Sequence, residues 1–410
     1  MIGYPLFFNR LFDMNAIVVK KQLLNFFGNK RYINAIYLLL AVLVALKQYQ
    51  HGSYNNYLIF KYTFWHTLHQ LPLYALYPAE YFDSNHYGVF FSVCIAPFAA
   101  LPDGLGMVLW NLANVGLLIY AIDQLPMRDH QKSYISWICA HELLTSLFSF
   151  QFNVALTGML LLSFAWIEKR QEMKSAFVIV AATFIKLYGV VGFAFFFFVK
   201  SKLRFILGII LFTVVCLVLP MCFSSPHFVL QTYAEWYQSL VHKNESNVVL
   251  GNMQDISLMG MVRRITQDEH LGNLPFLIVG MGIFALPYLR VSQYKHLAFR
   301  YGILCSTLIF TVIFSTGSES PTYIIAFLGV AIWYFMLNEP KRNYRLALLI
   351  FAVLLTSLSP SDLFPRYVRD QYVIKYALKA LPCVLIWIEL TVQLLFNDFS
   401  KNSNNNIATQ

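Results

Sequence analysis

The chain reads as a succession of apolar runs separated by short polar segments. Runs of roughly 17–25 residues match the ~30 Å hydrocarbon core of a bilayer. Spans are expected near 32–48, 88–102, 105–122, 134–149, 152–167, 176–199, 204–222, 274–290, 301–316, 322–337, 345–358 and 377–396. The runs are continuous rather than alternating. Backbone groups in lipid must be paired within a helix or a closed barrel, so helices are expected. The expected fold class is all-α: a polytopic transmembrane helical bundle of about 12 spans, with external loops carrying short interfacial helices. Three stretches organise the chain: residues 1–31 as a cytoplasmic, interfacial segment, 32–396 as a single transmembrane domain, and 397–410 as a disordered polar tail.

Loop charge sets the orientation. Arg10, Lys20, Lys21, Lys30 and Arg31 precede the first span and suit a cytoplasmic N-terminus. Alternation then places the basic segments 200–204, 290–300 and 339–345, and the C-terminus, on the cytoplasmic side of a cell membrane. Segment 168–174 (EKRQEMK) is the exception, since the count puts it outside against the positive-inside rule. Segments 49–87, 224–273 and 359–376 fall outside, with a short one at 318–321, and carry polar residues that topology does not require.

Composition agrees with the pattern. Apolar residues make up 58% and charged residues 12%, with a mean hydropathy of +0.57. Soluble domains carry about 25% charged residues. The net charge of +10 is scattered over short loops, which argues against a nucleic-acid partner. The six cysteines lie in hydrophobic runs without metal-ligand spacing. There is no phosphate-binding glycine loop, metal motif or serine elbow, so a nucleotide-driven or hydrolytic enzyme is not indicated, and neither is a divalent metal. No inverted repeat is visible.

The chemistry is sought in the external segments. Asp83, with Glu80 three residues earlier, stands in an aromatic surface stretch where a carboxylate tends to become a base near neutral pH; a helix cap is the alternative. Asn55 and Asn56 suit sugar hydroxyls or a simple turn. In GNMQDISLMGMVRR (251–264), Gln254 and Asp255 can hydrogen-bond, and Arg263 with Arg264 needs an anionic partner, either a phosphate or a lipid headgroup. Arg366 and Arg369 repeat that pattern. Glu142, Lys186 and Glu389 interrupt apolar runs. Each costs roughly 2.5–3.5 kcal/mol at a helix centre, so an inward-facing Glu142–Lys186 pair is expected, with a proton or ion path as the alternative. Glu319 stands at a span end beside Pro321.

Together these pieces resemble family 87 of the glycosyltransferases, a branch of the GT-C superfamily. HYGVFFSVCIAPFAALPDGLGMVLWNLANVGLLIYAI (86–122), with His86 and Tyr87 at its head, looks like the family's YGPxF…PxxxLP…LW…N segment. His141-Glu142 and Gln151-Phe152-Asn153 look like its E…QxN step, Phe184 to Tyr188 like its lysine–tyrosine step, and ESPTY (319–323) like a helix-start motif. The resemblance implies a GT-C-like bundle that transfers a hexose, commonly mannose, from a polyprenyl-phosphate donor to a glycan or glycolipid acceptor at the outer membrane face, with membrane lipid around it. The catalytic aspartate implied in the first external loop falls, counting back from Leu73-Tyr74, on Asn56. A neutral amide cannot be a general base, and losing one costs about 10²–10⁴-fold in rate. Asp83 is then the expected base. Asn56, Asn55, Glu80, His86, Tyr87, Gln254, Asp255 and Glu319 would hold substrate, and Arg263, Arg264, Arg366 and Arg369 the phosphate. A non-catalytic relative acting as a glycolipid transporter or scaffold stays open, favoured by Asn56.

Overall fold

A computed structural model describes residues 22–250, 254–336 and 343–400, so most of segment 1–31, Gly251 and Asn252 of the polar loop, and tail residues 401–410 lie outside the described residues. Among the described residues the chain is helical without strands. The helices are α1 (Lys30–Gln50), α2 (Asn55–His69), α3 (Phe91–Ala99), α4 (Asp103–Gln124), α5 (Asp129–Phe148), α6 (Asn153–Glu168) and α7 (Glu172–Ile185). A 3₁₀ segment (Leu187–Phe198) leads to α8 (Lys202–Val218), α9 (Pro226–Val248), α10 (Leu258–Thr266) and α11 (Asn273–Ala285). The chain closes with α12 (Leu297–Ile313), α13 (Tyr323–Met336), α14 (Asn343–Phe351) and α15 (Leu381–Phe396). Four apolar stretches are long enough to cross a bilayer on length and composition: α1, α4, Lys202–Cys222 and Leu378–Phe396.

Helices α6, α12 and α13 are apolar and buried almost all round, which makes them the axis of the bundle. Helices α8 and α11 do the opposite. Leu207, Ile210 and Val214 on one, and Ile278, Val279 and Met281 on the other, stay exposed, as side chains that meet lipid do.

Two expected spans are built differently. The run 88–102 forms only the nine-residue α3. At 1.5 Å per residue that is about 14 Å, half the hydrocarbon thickness. Helix α3 packs instead on α2, inside the stretch read as an external loop. The run 176–199 is a hairpin rather than one span. Helix α7 ends at Lys186, whose backbone is extended (φ −145°, ψ 126°), and the 3₁₀ segment returns antiparallel. A Cβ on Gly192 would meet Ile179 at 2.7 Å, and the Ser201 N–H donates to Glu172 Oε1 at 3.3 Å.

These two corrections cancel in the alternation count, which explains why only the segments between them were displaced. Lys30 and Lys132 both reach Asp123, Lys169 reaches Gln124 (2.6 Å), and Glu168 takes a bidentate pair from Arg300 (both 2.6 Å). The basic segment 168–174 therefore shares one end of the bundle with 123–132, 200–204 and 290–300, as loop charge requires. The opposite end carries a cavity.

Candidate active site

Lys186 stands at the tip of the broken hairpin, its N–H closing α7 on Ala182 O (2.8 Å) and its carbonyl accepting the Gly189 N–H (3.0 Å) at the start of the 3₁₀ segment. Its Nζ donates to Asn153 Oδ1 (2.9 Å) and lies 4.8 Å from the Tyr188 ring centroid and 5.8 Å from that of Tyr87. Asn153 Nδ2 in turn donates to Gln151 Oε1 (2.5 Å), and Gln151 Nε2 to Glu319 Oε2 (2.9 Å). The chain of hydrogen bonds therefore runs one way, from an ammonium to a carboxylate through two amides. Glu319 opens the turn into α13. Its own N–H donates to Thr322 Oγ1 (3.3 Å), while its backbone carbonyl accepts the Thr322 N–H (2.9 Å).

A second wall comes from the loop before α3. Asn55, at the start of α2, closes an amide ring with Phe82: Nδ2 donates to its carbonyl and Oδ1 accepts its N–H, both at 2.7 Å. That clasp sets the position of Asp83, which adopts a left-handed backbone (φ 74°) and accepts the Ser84 N–H at 2.8 Å. Aspartate tolerates this region better than most residues. Asp83 is exposed at the rim. Gly88 completes the loop's descent. A Cβ there would press on the Phe184 carbonyl and sit 3.0 Å from the Trp236 ring, so only glycine lets its N–H reach Ile185 O (3.1 Å) beside the lysine.

The third wall is α9, capped by Ser225 with Pro226 at its first position. Leu240, Lys243, Asn244 and Asn247 form one helical stripe along it and line the cavity. Trp236 Nε1 donates to His86 O (2.9 Å), and Ser239 Oγ stands 3.2 Å from His86 Nδ1. Burial first, then the positive charge of Lys243, pushes the His86 imidazole down to about 4, so it is neutral at ordinary pH. Asn244 accepts from Thr316 Oγ1 (2.6 Å). It belongs to the cavity lining.

The cavity measures about 330 Å³ and brings together Asn56, Asp83, His86, Tyr87, Gln254 and Glu319, six of the residues singled out in the sequence. A neighbouring cavity of about 540 Å³ holds Asn55 and Glu80, and Asn56 lines both. Asn56 Nδ2 donates to Ser149 O at 2.8 Å.

Other expected residues are engaged elsewhere. Glu80 Oε2 pairs with His66 Nε2 (2.7 Å). Asp255 is buried against Arg263, which also donates to Leu271 O and Asn273 Oδ1. Burial raises the Asp255 carboxyl above its usual range, with Ser257 and Arg263 opposing. Arg264 donates to Ile374 O (2.9 Å), and Arg369 holds Asp362 and Asp370. Arg366 is exposed and faces Asp370 at 3.5 Å. None of the four arginines lines the cavity. The expected Glu142–Lys186 pair is not formed. Glu142 receives Lys379 at 3.0 and 3.1 Å, and Lys379 also donates to Ser320 Oγ (3.0 Å), next to Glu319.

Lys186, Gln151, Tyr188 and the α9 stripe were missed as site residues. The signal for α9 was present as polar residues spaced three and four apart within a segment read as loop. Among the described residues no group of three His, Cys, Asp or Glu side chains converges to hold a metal.

A family model described as glycosyltransferase family 87 matches residues 85–316. The fold is similar to that of ArnT from Cupriavidus metallidurans, solved bound to undecaprenyl phosphate, at a TM-score of 0.47 and 13% identity, covering 89% of this chain and 76% of that one. No curated protein matches the sequence.

Proposed function

The chain belongs to glycosyltransferase family 87, and from that premise we propose that its cavity moves a mannose-like hexose from a polyprenyl-phosphate donor to a glycan or glycolipid acceptor at the outer membrane face. One observation carries the reading: Lys186 and Asp83 line the same 330 Å³ space. That volume lies at the small end of the roughly 300–1,000 Å³ typical of ligand sites, suited to a sugar phosphate rather than a long glycan.

Asp83 takes the proton of an acceptor hydroxyl. The oxygen then attacks the anomeric carbon from the face opposite the phosphate, and the bond from that carbon to the phosphate oxygen breaks with inversion. The leaving lipid phosphate gains one negative charge, which Lys186 meets with a positioned ammonium. Glu319 supports that ammonium through Gln151 and Asn153, and its carboxylate already accepts the Gln151 amide. Asp83 accepts one hydrogen bond and is open to solvent, which receives the proton afterwards. Lys243 adds positive charge at the α9 wall, so the phosphate role expected of the arginines passes to two lysines.

The test is sugar transfer in lipid nanodiscs from a panel of radiolabelled polyprenyl-phosphate hexoses. Asp83→Asn and Lys186→Met are each expected to lose about 10²–10⁴-fold in turnover. Normal turnover by Asp83→Asn would sink the assigned base. A second reading then keeps the chemistry and moves the base to Glu319, favoured by its carboxylate on the same cavity; Glu319→Gln separates the two.

A further inference from the structure

Among the described residues, two acceptor atoms at this site have no partner. Asn247 is 2% exposed, and its Oδ1 makes no hydrogen bond among the described residues; the same holds for Gln254 Oε1. Both residues line the 330 Å³ cavity. Buried amide oxygens are almost always satisfied, and leaving one unmade forfeits the water it gave up. Two of them on one cavity, from separate elements, mark a place for something that donates hydrogen bonds.

Both residues stand on anchored backbone. Asn247 ends the stripe on α9, and its Nδ2 lies 4.0 Å from where a Cβ on Gly317 would be. Any side chain at 317 would also approach Tyr188 Oη at 3.2 Å, so glycine keeps that corner open. Gln254 precedes Ile256, whose N–H donates to Ser318 O (2.8 Å) and whose carbonyl accepts Tyr323 Oη (2.8 Å). The Gln254 loop is thereby tied to the same turn that carries Glu319.

We propose that Asn247 and Gln254 form the subsite that reads the donor's sugar ring, selecting a neutral pyranose that offers at least two free hydroxyls. This rests on the polyprenyl-phosphate reading above and names the class of sugar within it. Hydroxyls satisfy amide oxygens without bringing charge. A carboxylate, as in a uronic acid, has no hydrogen to donate to these two amide oxygens. Sites built to bind a hydroxyl reject the analogue lacking it far more strongly than apolar pockets reject a methylene.

The experiment measures kcat/KM for the polyprenyl-phosphate hexose that turns over best, for its four monodeoxy analogues, and for its 2-amino and uronic-acid forms. Wild type, Asn247→Leu, Asn247→Asp and Gln254→Leu are compared in nanodiscs, with displacement by sugar-free polyprenyl phosphate as a second readout. Wild type should lose roughly 10–100-fold on at least two deoxy donors. One of those penalties should vanish in Asn247→Leu and another in Gln254→Leu, as a shared hydrogen bond requires. Asn247→Asp, which keeps an acceptor and adds a negative charge, should shift preference toward the amino sugar. Penalties that persist unchanged in both leucine variants, while the sugar-free lipid phosphate still binds them, overturn the inference and leave the donor reading standing. Failure of the sugar-free lipid phosphate to bind wild type overturns the donor reading and the inference with it.

Discussion

A single lysine concentrates the proposed chemistry, and its surroundings make its contribution separable. Lys186→Arg keeps the charge but changes the shape that fits Asn153 Oδ1 and the two tyrosine rings. It should retain part of the turnover that Lys186→Met loses, a difference visible in single-turnover rates. His86 gives a pH signature. Its folded value near 4 lies below the ordinary value near 6.5, so as pH falls through that window the unfolded chain takes up a proton that the folded one refuses. Stability should therefore decline between about pH 6.5 and 4. His86→Gln should flatten the decline in thermal midpoints followed by tryptophan fluorescence. Part of the slope should remain, because burial also lowers His66. Six residues singled out in the sequence do share the cavity, because polar side chains in external aromatic segments have little other use in such a chain. The arginines do not, since sequence displays a charge and hides its partner: Asp255, eight residues ahead of Arg263, neutralises it.

Pairing between elements follows the same rule. Glu142 on α5 and Lys379 ahead of α15 are both buried, and each leaves an uncompensated charge if the other is removed. Glu142→Ala should cost about 3–5 kcal/mol in thermal or denaturant unfolding, whereas a joint Glu142→Leu, Lys379→Met change should recover most of it. Recovery of stability without recovery of activity would assign the pair to holding Ser320 beside Glu319. Periodic apolar helices such as α6, α12 and α13 were legible from the sequence, because nothing but a helix buries such a run in lipid. Helices α2 and α9 were not. Their mixed faces look like loop when judged by hydropathy alone, although the i, i+3, i+4, i+7 spacing of Leu240, Lys243, Asn244 and Asn247 is helical. The broken hairpin was hidden for the opposite reason, since both its arms are apolar and only Lys186 marks the turn.

For the whole molecule, the arrangement predicts which loops share a side. With the exposed Cys222 replaced by serine, Lys169→Cys and Lys200→Cys should label together from one face of sealed vesicles, and His242→Cys from the other. Labelling of positions 169 and 242 from the same face would break the assignment. The alternation count takes one crossing at 88–102 and another at 176–199 that the helices do not make, so the two errors offset each other for the segments beyond 199. Local hydropathy cannot detect such an error; only the charge of 168–174 hinted at it. The hairpin also constrains how the chain is made. Its arms, 14 and 12 residues, are about 21 and 24 Å long, each short of the ~30 Å needed to rest alone in a bilayer. Neither can be released from the insertion machinery as a finished segment, so both must partition together, with Lys186 leading. The side chain proposed to meet the phosphate is thus the one whose charge makes this step of biosynthesis costly. A slow or chaperoned stage in assembly is expected there, rather than at the long apolar helices on either side.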